Sequence, residues 1–163
     1  MSRISVHFLD QGLHRVLFDA MPIPAFMMDK NMCIFDYNAA AARLIGKNKR
    51  FVIRRRGGEV LSCLHSTETA EGCGCAPACS DCVVRKSVRA ASRSHRVVRR
   101  AAEMELVRKG RPTKVNLRVS CQPFTYGKSS FILLILEGLN DLDEMPSSRK
   151  TVHGRPISRR ATL

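Results

Sequence analysis

The residues best suited to chemistry are cysteines, of which the chain has seven, and five of them (Cys63, Cys73, Cys75, Cys79 and Cys82) fall within twenty residues. Soft thiolate sulfur suits Zn²⁺ or an iron-sulfur cluster, and four ligands complete a tetrahedral shell or four cluster positions. Cys63, Cys73, Cys79 and Cys82 supply those four. Cys79 and Cys82, two residues apart, can reach one centre from a turn entering a helix, and Gly72 and Gly74 let the backbone at Cys73 bend close to a metal. His65 and Glu68 share the same spacing and are further candidates, as ligands or as orienting groups, because a metal-bound imidazole needs a partner for its other nitrogen. Cys75 is the remaining thiol able to reach the centre. Bound thiolates would carry negative charge, which Arg54, Arg55, Arg56, Arg85, Lys86 and a helix N-terminus near Cys82 could offset.

Spacing does not separate zinc from an iron-sulfur cluster. Zinc would staple a loop-rich region, whereas an iron-sulfur centre would make an oxygen or redox sensor. Two other readings stand beside these: a thiol-disulfide switch at Cys79-Ser80-Asp81-Cys82, which lacks a thioredoxin-like context, and unliganded thiols packed around a loop. An odd cysteine count argues against a complete disulfide framework. Cys33 and Cys121 lie in apolar alternations and are expected in the core, and His7, His14, His95 and His153 belong to no ligand pattern. No phosphate-binding glycine loop, nucleophile elbow or H-E-x-x-H helix occurs, so the chain is not expected to be an enzyme.

The elements that must hold the cluster follow from periodicity. Asp10 to Met21 reads as an amphipathic helix capped by Asp10 and stopped by Pro22 and Pro24. Ala25 to Met28 and Cys33 to Tyr37 read as strands joined by Asp29-Lys30-Asn31. Asn38 can cap a helix from Ala39 to Ile45 that Gly46 closes. Irregular, basic chain leads into a cysteine stretch of loops and short turns, and Ser80 or Asp81 can cap a helix reaching about Ala91, with Val84, Val88 and Ala91 on one side. Glu103 to Arg108, the strictly alternating Val115 to Cys121 and the apolar Phe131 to Leu136 then form a meander, joined by Lys109 to Pro112 and by Tyr126 to Ser130.

This is an α+β order, and the wording of two segments resembles PAS domains. LFDAMPIPAFMMDKNMCIFDYNAAAARLIG (Leu17 to Gly46) is similar to the opening of that family, and VNLRVSCQPF with FILLILEGLND resembles its closing strands. The resemblance covers about Asp10 to Asp141. Between these segments, GEVLSCLH, Glu68, the GCG at Gly72 to Gly74 and the CSDC at Cys79 to Cys82 resemble a Cys-rich variant of bacterial sensory PAS domains, with the pattern C-x-H-x-x-E, G-C-G, C-x-x-C. Cys75 is an addition to it.

The resemblance implies one domain over residues 10–141: a five-stranded antiparallel sheet with helices mainly on one face and a Cys-rich insert at 58–82. Residues 1–9 would be an extension and 142–163 a disordered basic tail. It also implies a sensory module that acts on a separate signalling protein, such as a sensor kinase or a transcription regulator, and that can form a homodimer through its first helix.

Composition narrows the function further. At 163 residues, with 44% apolar and 26% charged residues, the chain suits one globular domain. The longest apolar run, Phe131 to Leu136, is far shorter than the roughly 20 residues that span a bilayer, and the opening lacks a signal-peptide core, so a cytoplasmic protein without membrane contact is expected. The formal charge of +14 leaves a nucleic-acid-binding regulator with a structural zinc site as an alternative, carried by Arg54 to Arg56, Arg96, Arg99, Arg100 and the Arg149 to Arg160 tail. No helix-turn-helix pattern or aromatic stacking ladder accompanies that charge, and the sensory reading is preferred.

Overall fold

The computed structural model describes residues 12–138. The expected N-terminal extension, the Asp10 cap and the basic tail lie outside these residues. Helix α1 (Leu13–Ala20) begins after Gly12, which offers no side-chain cap. Arg15 anchors the helix by bridging Asp19 (2.7 Å) and Asp36 (2.9 Å) and donating to the Tyr37 carbonyl.

Strands β1 (Ala25–Met28) and β2 (Ile34–Tyr37) form a hairpin whose turn is organised by Asp29, its Oδ1 accepting from the amides of Asn31 and Cys33. Met32 closes the turn at a φ of 66°, and this left-handed residue delays β2 to Ile34. Cys33 therefore falls outside the strand, bridging Arg56 instead, and is only half-buried, which corrects its expected place in the core. Cys121 is fully buried as expected.

Asn38 joins three pieces of chain. Its Oδ1 accepts from Ala41 N, capping helix α2 (Ala39–Ile45), and from Ala25 N at the start of β1, while its Nδ2 donates to the Ile23 carbonyl at 2.9 Å. The residue is 1% exposed, so truncation would leave both cap and strand groups unsatisfied away from water. We expect Asn38→Ala to lower unfolding free energy by about 3 kcal/mol, a lost cap plus stranded buried partners; urea denaturation measures it, and a loss below ~1 kcal/mol would show that water replaces the amide.

The meander is longer than periodicity suggests. Strand β3 (Val98–Arg108) pairs along its whole length with β4 (Arg111–Tyr126), and β4 pairs with β5 (Ser129–Glu137). Arg99, Arg100 and Ala101 face solvent, so their polarity hid the first half of β3. The first turn is only Lys109-Gly110, both at positive φ, the conformation that a right-twisted two-residue hairpin requires. Pro112 is accommodated within β4 because β5 ends opposite Arg118, leaving that stretch one neighbour. Strand order is β2-β1-β5-β4-β3, antiparallel at every pair. Two further helices complete the frame: α3 (Gly57–Leu61), unforeseen because of its paired glycines, and α4 (Val83–Ser94).

Helix α4 lies across β3, β4 and β5, burying Val84, Val88 and Ala91 against Leu106, Val119 and Leu134 in one core. Its cap differs from expectation. Cys82 occupies the N-cap position without a side-chain bond, since Ser80 turns back to the Pro77 carbonyl and Asp81 pairs with Lys86 at 2.7 Å. Among the described residues no helix is long and apolar enough to cross a membrane.

Candidate metal centre

Between α2 and α4 the chain is a succession of tight turns, and each candidate cysteine sits at a fixed point in one of them. Cys63 follows Ser62, which ends α3 in the left-handed region at φ 60°, and starts the 3₁₀ turn Leu64–Thr67. Its carbonyl accepts from Ser66 Oγ at 2.6 Å, and an isolated bridge to Leu106 fastens it to β3, reinforced by Val107 N donating to Ser62 O at 2.7 Å. Cys79 is buried in the 3₁₀ turn Pro77–Ser80, and Cys82 heads α4.

Cys73 stands between Gly72 (φ 79°) and Gly74 (φ 94°), and it packs on Gly58 of α3. A Cβ on Gly58 would lie 2.6 Å from Cys73 Sγ and 3.1 Å from Cys73 Cβ, so the glycine is what allows the thiol to stand there. Lys47 secures the far end of α3 by donating from Nζ to the Glu59 and Val60 carbonyls.

Cys63, Cys73, Cys79 and Cys82 all line one cavity of about 350 Å³, closed on its apolar side by Met32, Leu61, Val84, Met104 and Leu134. The structure thus brings together the four cysteines that spacing selects. Among the described residues no three Cys, His, Asp or Glu side chains form a group able to hold a single metal ion.

Burial pushes the Cys73 thiol up to about 11, and neighbouring Cys79, Cys63 and Cys82 add to the rise. Burial raises Cys63 as well. At neutral pH these two are thiols, and a metal would have to displace their protons. All seven cysteines are free, so no disulfide competes for the site.

His65 also lines the cavity, but both its nitrogens face carboxylates: Nδ1 lies 2.6 Å from Glu68 Oε1 and Nε2 3.7 Å from Glu105 Oε2. The expected His65–Glu68 relation is therefore a direct pair, and Glu105 of β3 is a participant that sequence spacing could not reveal. Cys75 lies outside the cavity, exposed, with Arg56 Nη1 donating toward its sulfur at 3.6 Å. Arg56 and Arg85 do more than balance charge: Arg56 Nη1 donates to the Cys73 carbonyl at 2.6 Å and Arg85 Nη1 to the Cys79 carbonyl at 3.3 Å. Each guanidinium thereby fixes the backbone of a candidate ligand.

No protein-family model and no curated protein matches this sequence. Solved structures do. The PAS domain of nitrogen regulation protein NR(II) from Vibrio parahaemolyticus superposes with a TM-score of 0.55 at 15% identity, covering 78% of this chain and 99% of that one. The chain has the PAS fold. The PAS domain of Bordetella pertussis BvgS is similar at a TM-score of 0.53 and 16% identity, over 82% of this chain and 88% of that chain. A PAS domain from a two-component sensor histidine kinase gives 0.52 at 8% identity, over 80% and 97%. Within this PAS frame the cysteine turns occupy the stretch between α2 and α4, and the cavity they ring opens against the inner face of the sheet at Met104 and Leu134.

Proposed function

We propose that this protein is a sensory and regulatory PAS module, with no catalytic activity of its own, that holds a polynuclear thiolate-bound centre of the iron-sulfur type through Cys63, Cys73, Cys79 and Cys82. The observation that carries the reading is the shared cavity: four cysteines line about 350 Å³ of mostly apolar space. Four thiolates are the usual ligand set of such clusters; they can also complete a tetrahedral zinc shell, but only the cluster gives a sensory module a redox signal. A cluster of this type supplies electron exchange and sensitivity to oxidants. His65, held by Glu68 and Glu105, stands as a wall residue, and Arg56 and Arg85 hold the ligand loops while offsetting negative charge.

Signal transfer would use the two covalent ends of the site. Cys82 heads α4, which crosses three strands, and Cys63 is fastened to β3, so a change at the sulfurs reaches the sheet directly. The PAS domains most similar in fold include one from a two-component sensor histidine kinase, which supports a signalling protein, such as a sensor kinase or a transcription regulator, as the partner. The exposed apolar residues Val16 and Leu17 of α1 provide a surface for that partner or for a second copy of the chain.

Anaerobic purification followed by iron, sulfide and zinc analysis with a visible absorption spectrum tests the proposal. Iron and sulfide near stoichiometry with charge-transfer absorption are expected. Stoichiometric zinc without iron would replace the cluster by a structural site, and neither metal would refute the centre.

A further inference from the structure

A second hollow of about 130 Å³ lies across the Cys73–Gly74 wall from the cysteine cavity. Lys30, Arg56, Arg85 and Arg89 line it, and among the described residues none of these four cations has a carboxylate ion pair. Two of the cations converge closely: a Cβ on Gly74 would lie 3.7 Å from Arg85 Nε and 3.9 Å from Arg56 Nη1. Like charges brought this near repel unless something negative sits between or beside them.

The hydrogen bonds these arginines make do not supply it. Arg56 Nη1 donates to the Cys73 carbonyl and toward Cys75 Sγ, and Arg85 Nη1 donates to the Cys79 carbonyl, none of which is a carboxylate. A guanidinium has five N–H donors in a planar fork that matches oxyanion geometry, so most of the donors on each remain for an external acceptor. The hollow is large enough to take a tetrahedral anion.

We propose that this basin is a binding site for a small tetrahedral oxyanion of the phosphate or sulfate class, gripped by the forks of Arg56, Arg85 and Arg89 with Lys30 adding charge at the rim. Lys30, Arg56 and Arg89 line this basin and not the cysteine cavity, while Arg85 lines both.

Calorimetric titration of the full-length protein with potassium phosphate, and separately sulfate, against potassium chloride at matched ionic strength tests it. Saturable one-to-one binding of phosphate or sulfate is expected, with none for chloride. Arg89→Gln should weaken it about tenfold or more, the loss of a charge-assisted contact. Arg56→Lys should weaken it comparably although charge is kept, because the fork is lost. Lys128→Gln, at the distant β4–β5 turn, should change nothing. Binding no better than chloride, equal losses from Lys128→Gln, or an affinity indifferent to both arginine variants would overturn the proposal. Circular dichroism and metal content of Arg89→Gln, expected unchanged, separate this outcome from any failure of the cysteine centre.

Discussion

Replacing Cys73 or Cys79 by serine will strip the centre from anaerobically purified protein, whereas Cys75→Ser will leave it in place. Serine is nearly isosteric but its hydroxyl is a hard and far less acidic donor, so one of four ligands disappears with little change in packing. Loss of an outer partner already costs up to about a hundredfold in metal affinity, and loss of a ligand should exceed that. Cys75 differs because it is exposed on the other side of Gly74, facing Arg56 and not the cavity. Gly58→Ala gives a graded version of the same test. Its added methyl would sit 2.6 Å from Cys73 Sγ and 3.1 Å from Cys73 Cβ, and since α3 is pinned by Lys47 at its end, the thiol is the part that must yield. Metal content should fall while the apoprotein loses about 1 to 3 kcal/mol of urea stability, as for an overpacked site, and stays folded. A centre that survives Cys73→Ser but not Cys75→Ser would exchange those two ligands and require the turn at Gly74 to reverse.

The parts of this chain legible in the sequence are those whose signals are local. Asn38 and Gly46 bracket α2 because a cap and a left-handed stop each act within one turn, and Val115, Leu117, Val119 and Cys121 alternate because one face of β4 is buried along its length. The resemblance pattern, which lacks Cys75, singles out the other four clustered cysteines, and those four line one cavity. What was hidden depends on partners distant in sequence. Glu105 meets His65 only because Cys63 is bridged to Leu106, distant along the chain but adjacent in space. Arg56 and Arg85 read as charge balance, yet their function as backbone clamps needs the carbonyls of Cys73 and Cys79 to face them. Helix α3 was missed for the opposite reason: Gly57 and Gly58 disfavour helix locally, and tertiary fit overrides that preference, since Gly58 makes room for Cys73 and a Cβ on Gly57 would already touch Met32 at 3.4 Å.

Removing the metal should accelerate amide exchange between Cys63 and Ala91 far more than in the strand stretch Val115 to Cys121. The asymmetry follows from how the site is attached. Helix α4 starts at Cys82 with no side chain accepting from its first-turn amides, so a ligated Cys82 thiolate would place negative charge beside those orphan donors. Loss of a cap of this kind is worth about 1 kcal/mol. The turns carrying Cys63, Cys73 and Cys79 have few ladder bonds of their own, and their main fixed point outside the site is the bridge to Leu106.

A centre present at about 100 times its dissociation constant stabilises the state that binds it by roughly 2.7 kcal/mol, so amides that open with the site should exchange up to about a hundredfold faster without it. Strand β4, paired on both sides along Arg118 to Cys121 and buried through Val119 and Cys121, exchanges through larger openings in which the site is one contribution among many. Hydrogen exchange read by mass spectrometry on the loaded and chelator-treated protein resolves the two regions. Equal acceleration everywhere would make the centre a global staple, and no acceleration at all would leave the cysteine turns uncoupled from α4. Only a local response concentrated in the first turns of α4 gives a PAS module two states of one surface for a partner to distinguish, because a change confined to one packed element is what can bias an interface without unfolding the domain.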